Sequence, residues 1–159
     1  APGRILLLLV GLVAAGVGAD CARILKMGVP EYWHGDRVRQ HRQHLSREQM
    51  RKICDAMFRY AVENEGRFPH QLDMLREAGY LAAEDLRNPR CPSTAVGYVY
   101  VRPRTGLAAL TDWPQTPLLY EAFVKWPRTG VLVMYCDGHS SSIASEAELR
   151  TVVARLRKD

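Results

Sequence analysis

The sequence lacks the short motifs that mark common enzyme active sites. It contains no Gly-x-Ser-x-Gly elbow, no Walker loop and no Gly-x-Gly-x-x-Gly turn, so nothing points to nucleophilic hydrolysis or nucleotide binding. Cysteines are few, and Cys21, Cys54, Cys91 and Cys136 form neither a Cys-x-x-Cys pair nor a haem attachment site. We therefore expect no catalytic residue, no bound cofactor and no small-molecule substrate.

No uncharged apolar run reaches the 20 residues of an ordinary membrane helix. The longest is residues 5–19, whose 15 residues would form a helix about 22 Å long, against a hydrocarbon core of roughly 30 Å. We expect a retained anchor over residues 1–26, and a cleavable signal peptide is the alternative. The side chains expected to meet lipid or neighbouring helices are Ile5, Leu6, Leu7, Leu8, Leu9, Val10, Leu12 and Val13.

Positive charge is unevenly distributed along the chain, which carries a net charge of +5. Much of it comes just after the apolar run, where it would face lipid head groups more readily than nucleic acid. Residues 27–45, with Gly28, Pro30 and Gly35, are typical of a juxtamembrane linker in which Tyr32 and Trp33 suit a membrane interface. The positive-inside rule would place the domain beyond this linker in the cytoplasm.

Residues 46–159 show the periodicity of one α+β domain. Ser46 and Gln49 predict the start of a helix that carries an apolar face to Gly66, and a second short helix ends at Gly79. Alternating segments then predict antiparallel strands over residues 97–101, 118–124, 131–136 and 140–143. The last predicted element is a helix with Ser145 and Glu148 as its capping box.

Three segments in this order resemble a known family: the helices of residues 46–80 around Glu-Gly-Arg-Phe-Pro, the loop Arg-Cys-Pro-Ser at 90–93, and Leu-Leu-Tyr-Glu at 118–121 leading to Asp137-Gly138-His139. The order is similar to the soluble heads of pilin-like proteins related to type II secretion pseudopilins. It looks most like a bacterial group named for a histidine, nine intervening residues and an Asp-Gly pair. Pro127 stands where that histidine would fall, and residues 1–9 lack the prepilin glutamate.

The resemblance implies a long N-terminal helix buried in a filament or membrane, a head with a small antiparallel sheet, and a structural subunit that is not an enzyme. It also implies an exported head, periplasmic or extracellular, in conflict with the charge rule. Its partners would be membrane lipid and other protein subunits, either copies of itself or a membrane complex that it joins as a single accessory subunit. Nucleic acid is not an expected partner.

Two further hypotheses concern individual side chains. If the head is exported, Cys91 and Cys136 are the favoured disulfide pair, because both flank predicted strands. Asp137 and His139 are the candidate metal ligands, with calcium as the ion that pseudopilin heads can bind, which would make the chain an exported calcium-binding domain. A tight Asp-Gly turn explains the same residues by backbone conformation alone.

Overall fold

The structure, a computed structural model, describes residues 29–94 and 97–155. The chain divides into two compact units, Ala1–His41 and Arg42–Asp159. The described part of the first unit is helical and the second contains the α+β fold. The anchor predicted at residues 1–26, including Ile5, Leu6, Leu7, Leu8, Leu9, Val10, Leu12 and Val13, lies outside the described residues. Tyr32 and Trp33 fall in the first helix, at positions whose side chains are not described.

The first described helix, α1, spans Val29–Glu63 and has 35 residues. Its start is much earlier than the predicted start at Ser46, so the interpretation of residues 29–45 as a linker was wrong for their secondary structure. Pro30 is tolerated because the first turn of a helix needs no proline N–H, and a single glycine such as Gly35 weakens a helix without ending it. Side chains 37–42 are exposed.

The end of α1 agrees with the prediction. Glu65 and Gly66 both have positive φ, 58° and 78°, and the Gly66 N–H donates to the Ala61 carbonyl at 2.8 Å. This reversal is the usual way to satisfy the last carbonyls of a helix. The predicted second helix is α2, Asp73–Glu77, which ends before Gly79 with its φ of 79°.

The sheet has four antiparallel strands in the order of the chain, β1 Tyr98–Tyr100, β2 Pro117–Glu121, β3 Val131–Tyr135 and β4 Ser140–Ile143. All four predicted strands are confirmed, although β2 ends three residues early and contains a bulge between Pro117 and Leu119. A final helix, α3, spans Glu146–Arg155. The described chain is therefore an α+β fold, with a helix, a small antiparallel sheet and a C-terminal helix.

Helices cover both faces of this sheet. The buried face of α1 joins side chains from one face of the sheet in a large apolar cluster that includes Met50, Ile53, Met57, Ala61, Tyr98, Leu119, Leu132 and Met134. A smaller cluster on the other face consists of Val133, Tyr135 and Ile143 with Leu149 of α3. Every residue of β3 is buried, as expected for a central strand covered on both sides.

Two turns fix the register of the last three strands. Between β2 and β3, Gly130 has a φ of 70° and a Cβ there would lie 2.4 Å from the Ile143 carbonyl oxygen, so only glycine fits. Between β3 and β4, Gly138 N–H donates to the Tyr135 carbonyl while Tyr135 N–H donates to the His139 carbonyl, each at 3.0 Å. This is a three-residue hairpin loop with Gly138 in the left-handed region.

Candidate functional site

A buried carboxylate, Glu121 at the end of β2, is the centre of a buried polar cluster. Its side chain has no solvent exposure. One oxygen accepts hydrogen bonds from Ser46 Oγ at 2.6 Å and Asn88 Nδ2 at 3.3 Å. The other accepts from the Leu132 N–H at 2.9 Å and forms an ion pair with Arg90 Nη1. A charge removed from water needs such a set of donors, and here it has four.

The guanidinium group of Arg90 makes three further contacts besides its ion pair with Glu121. Its Nη2 donates to Thr129 Oγ1 at 2.6 Å and to the Gly130 carbonyl at 3.0 Å, both in the turn between β2 and β3. Its guanidinium carbon lies 5.1 Å from the centre of the Phe123 ring. The planar guanidinium group can serve a carboxylate, a turn and an aromatic face together, which a lysine could not. Arg90 therefore ties the loop after Asn88 to the sheet.

Ser46 connects α1 to this cluster from the middle of the helix. Its hydroxyl is fully buried, donates to Glu121 and lies 3.3 Å from the Tyr98 hydroxyl. Burial raises the pKa of Tyr98 well above its usual value, so its hydroxyl stays protonated at physiological pH. The prediction that Ser46 caps the start of a helix was wrong, because its partner is a side chain of the sheet.

Asn88 fixes the approach of the loop to the sheet. Its Nδ2 also lies 3.4 Å from the Gly97 carbonyl, and its Oδ1 accepts the Arg90 N–H at 2.8 Å. Gly97 lies so close that a Cβ there would be 2.3 Å from both the Cβ and the N of Asn88. The contact leaves no room for any side chain at position 97.

This cluster can bind four segments of the fold together, but it offers no open position for a ligand. Every buried side-chain nitrogen and oxygen in the described part of the chain has a hydrogen-bond partner. The arrangement is that of a structural junction between α1 and the sheet. This junction was not predicted from the sequence, although a glutamate inside an apolar strand and a serine on the apolar face of a helix could have suggested a buried pair.

The candidate metal ligands Asp137 and His139 do lie together, in the loop between β3 and β4. Asp137 Oδ1 is 2.6 Å from His139 Nδ1 and accepts the His139 N–H at 3.1 Å, and the imidazole stacks on the Tyr135 ring at 4.3 Å. Partial burial opposes ionisation, but the hydrogen bonds from His139 outweigh it and lower the pKa of Asp137. Within residues 29–94 and 97–155, no group of three such side chains could hold a metal ion. Calcium binding stays a prediction.

The predicted disulfide between Cys91 and Cys136 is not formed in the structure, where both carry free thiols. Cys91 lies in the partly exposed loop after Arg90, whereas Cys136 is buried in the large apolar cluster together with Cys54 of α1. Burial raises the pKa of Cys136 to about 12 and that of Cys54 further, so both thiols are protonated at neutral pH. Two cysteines that each flank a strand need not lie close together, because one can be in a surface loop while the other is in the core.

Comparisons with known proteins identify no relative. No family model, no curated protein and no solved structure matches the chain. Among the helices that the structure describes, none is both long and apolar enough to cross a membrane.

Proposed function

We propose that this chain is a non-catalytic, pilin- or pseudopilin-like subunit of the bacterial cell envelope, held in lipid or among other helices by its apolar N-terminal segment. The observation that carries the proposal is the way α1 joins the sheet. One long helix contributes its C-terminal half to the core of a four-stranded antiparallel head, and the buried contact of Ser46 with Glu121 fixes it there.

The order of elements supports the same proposal. A long helix, a meander of four strands and a short final helix succeed one another along the chain, in the arrangement that the resemblance implies. The apolar residues 5–19 precede α1 by a short stretch, and the exposed side chains at 37–42 include three arginines suited to lipid head groups. Because residues 46–63 of α1 are part of the core of the head, the head can position a partner without any chemistry of its own.

The test compares the unchanged full chain with two variants, each of which has one added arginine. Leu8→Arg places a charge in the apolar run, and Val124→Arg places the same charge on the head at a side chain that is 87% exposed. The unchanged chain and Val124→Arg should remain in washed membranes, whereas Leu8→Arg should lose most of its membrane association. A folded full-length chain that stays in the soluble fraction would reject the proposal.

A second version makes the chain a single-copy accessory subunit of a larger membrane complex. A departure from the family pattern favours it, namely Pro127 in place of the histidine. Electron microscopy of native material separates the versions. Filaments with N-terminal segments at their centre support the self-assembling subunit, and one copy among unrelated membrane proteins supports the accessory subunit.

A further inference from the structure

Five charged side chains form a continuous row on the outer surface of α1. The first is Glu48, and the other four follow it by three, four, seven and eleven positions, a spacing that places all five on one face of the helix. This face points away from the buried positions Met50, Ile53 and Met57. All five are exposed and border one shallow groove. We call them the outer row: Glu48, Arg51, Lys52, Asp55 and Arg59.

Three of these five charges form no ion pair among the described residues, whereas Glu48 lies 3.3 Å from His44 Nε2. Asp55 is one helical turn from both Arg51 and Arg59, the usual spacing of a helical ion pair, yet the structure forms neither pair among the residues it describes. Lys52 reaches Asp85 at 2.8 Å, and the Arg59 guanidinium lies over the Tyr80 ring. Arg51 and Asp55 therefore remain open to a charged partner.

If the outer row of a second copy runs in the opposite direction, positive side chains of one row face negative side chains of the other. We consider two antiparallel α1 helices related by a two-fold axis that passes at the height of the midpoint between Ile53 and Cys54. In this register Glu48 faces the partner's Arg59, and Lys52 faces the partner's Asp55. Symmetry forms each pair twice. At the two ends of the row, Leu45 would meet the partner's Val62, an apolar side chain that is 69% exposed.

We propose that the outer row is an interface with a second copy of this chain, in an antiparallel pair of α1 helices related by a two-fold axis. A parallel pair in register would instead place Glu48 against glutamate and Lys52 against lysine. A two-fold contact also closes on itself, as most interfaces between identical subunits do. This inference concerns residues 42–159 and does not depend on the proposed membrane role.

Cysteine cross-linking in the full chain tests the geometry without removing a charge from the row. Cys21 and Cys91 are first replaced by serine, and the buried Cys54 and Cys136 are kept. Leu45→Cys copies mixed with Val62→Cys copies should cross-link through a short bis-maleimide. Val62→Cys alone should not, because its two copies would be about 25 Å apart along the helix axis. Equal cross-linking of Val62→Cys alone, or none in the mixture, would overturn the proposal.

Charge reversal tests the pairing itself with the same read-out. Arg59→Glu in both copies should reduce the yield of the mixed cross-link by about tenfold, since two attractions become two repulsions. Adding Glu48→Arg should restore it, and high salt should reduce the yield for the unchanged row. Glu146→Arg on α3, another exposed carboxylate, is the matched control and should have no effect. Failure of the double reversal to restore the yield would reject this register.

Discussion

Ser46 Oγ and Glu121 Oε1 lie 2.6 Å apart, although 75 positions separate these residues in the chain. The bond joins the middle of α1 to the last residue of β2, inside the protein and out of contact with water. It is the only direct hydrogen bond between side chains of α1 and β2 among the described residues. The stability of the head should therefore depend on polar groups that the apolar pattern does not reveal.

Glu121→Gln should destabilise the head by about 3 kcal/mol, because it leaves the charge of Arg90 buried without its partner. Urea unfolding followed by circular dichroism measures the change. Glu146→Gln, which removes an exposed carboxylate, should change the free energy of unfolding by less than about 0.5 kcal/mol. The double variant Arg90→Met with Glu121→Leu should cost less than the two single changes added together. Additive costs would show that the two side chains are not coupled.

Two substitutions of Ser46 distinguish its role at the sheet from that of a helix cap. Ser46→Ala should cost about 1–2 kcal/mol, because Glu121 loses a buried donor. Ser46→Asp should be much worse, since it places a second carboxylate against Glu121, whereas at a helix cap aspartate would serve as well as serine. Thermal unfolding compares both with Ser142→Ala, an exposed serine of β4. A stable Ser46→Asp variant would contradict the structure.

Gly97 should tolerate no side chain. In Gly97→Ala the new Cβ would meet Asn88 atoms at 2.3 Å, so the loop must move and the hydrogen bonds of Asn88 with it. We expect a loss of about 2–4 kcal/mol in urea unfolding. Gly35→Ala is the control, because nothing lies within 4 Å of its Cβ position and alanine favours a helix. It should leave stability unchanged or raise it slightly, and equal losses in the two variants would contradict the close contact.

The sequence predicted the elements that depend on neighbours in the chain. The strands near Tyr98, Leu118, Val131 and Ser140 are indicated by alternating apolar residues, and the turn at Gly138 by the Asp-Gly pair, whose glycine has the expected positive φ. Ser145 Oγ accepts the Glu148 N–H at 3.2 Å, which confirms half of the predicted capping box. These are local effects, so one sequence is enough to find them.

The features that the sequence did not predict depend on contacts between distant segments. The early start of α1 was missed because Pro30 and Gly35 suggest a loop, and their positions in a long helix are tolerable. The Glu121 cluster was missed because its donors come from Ser46, Asn88, Arg90 and Leu132, which no periodicity links. The predicted disulfide between Cys91 and Cys136 is absent from the structure for the same reason, because contacts between distant segments decide which thiols are buried.

The buried thiols should make the head less stable at alkaline pH. Folding raises the pKa of Cys136 from 9.0 to about 12 and that of Cys54 still further, chiefly by removing both from water. The folded state therefore keeps both protons while the unfolded chain releases them above about pH 9. This contribution to stability is complete below that pH and declines as the pH rises towards 12.

Urea unfolding at pH 7.5, 8.5 and 9.5 measures this decline below the ordinary tyrosine pKa of 10.0, where most tyrosines are still protonated. The free energy of unfolding should fall increasingly steeply over this range, approaching a loss of about 1.4 kcal/mol per pH unit for each thiol that ionises only in the unfolded chain. Cys54→Ala with Cys136→Ala should be less stable at every pH but should show a flatter dependence. Cys91→Ser, at a partly exposed thiol, should keep the slope of the unchanged chain. If the double variant kept the full slope, the two thiols would not be its cause.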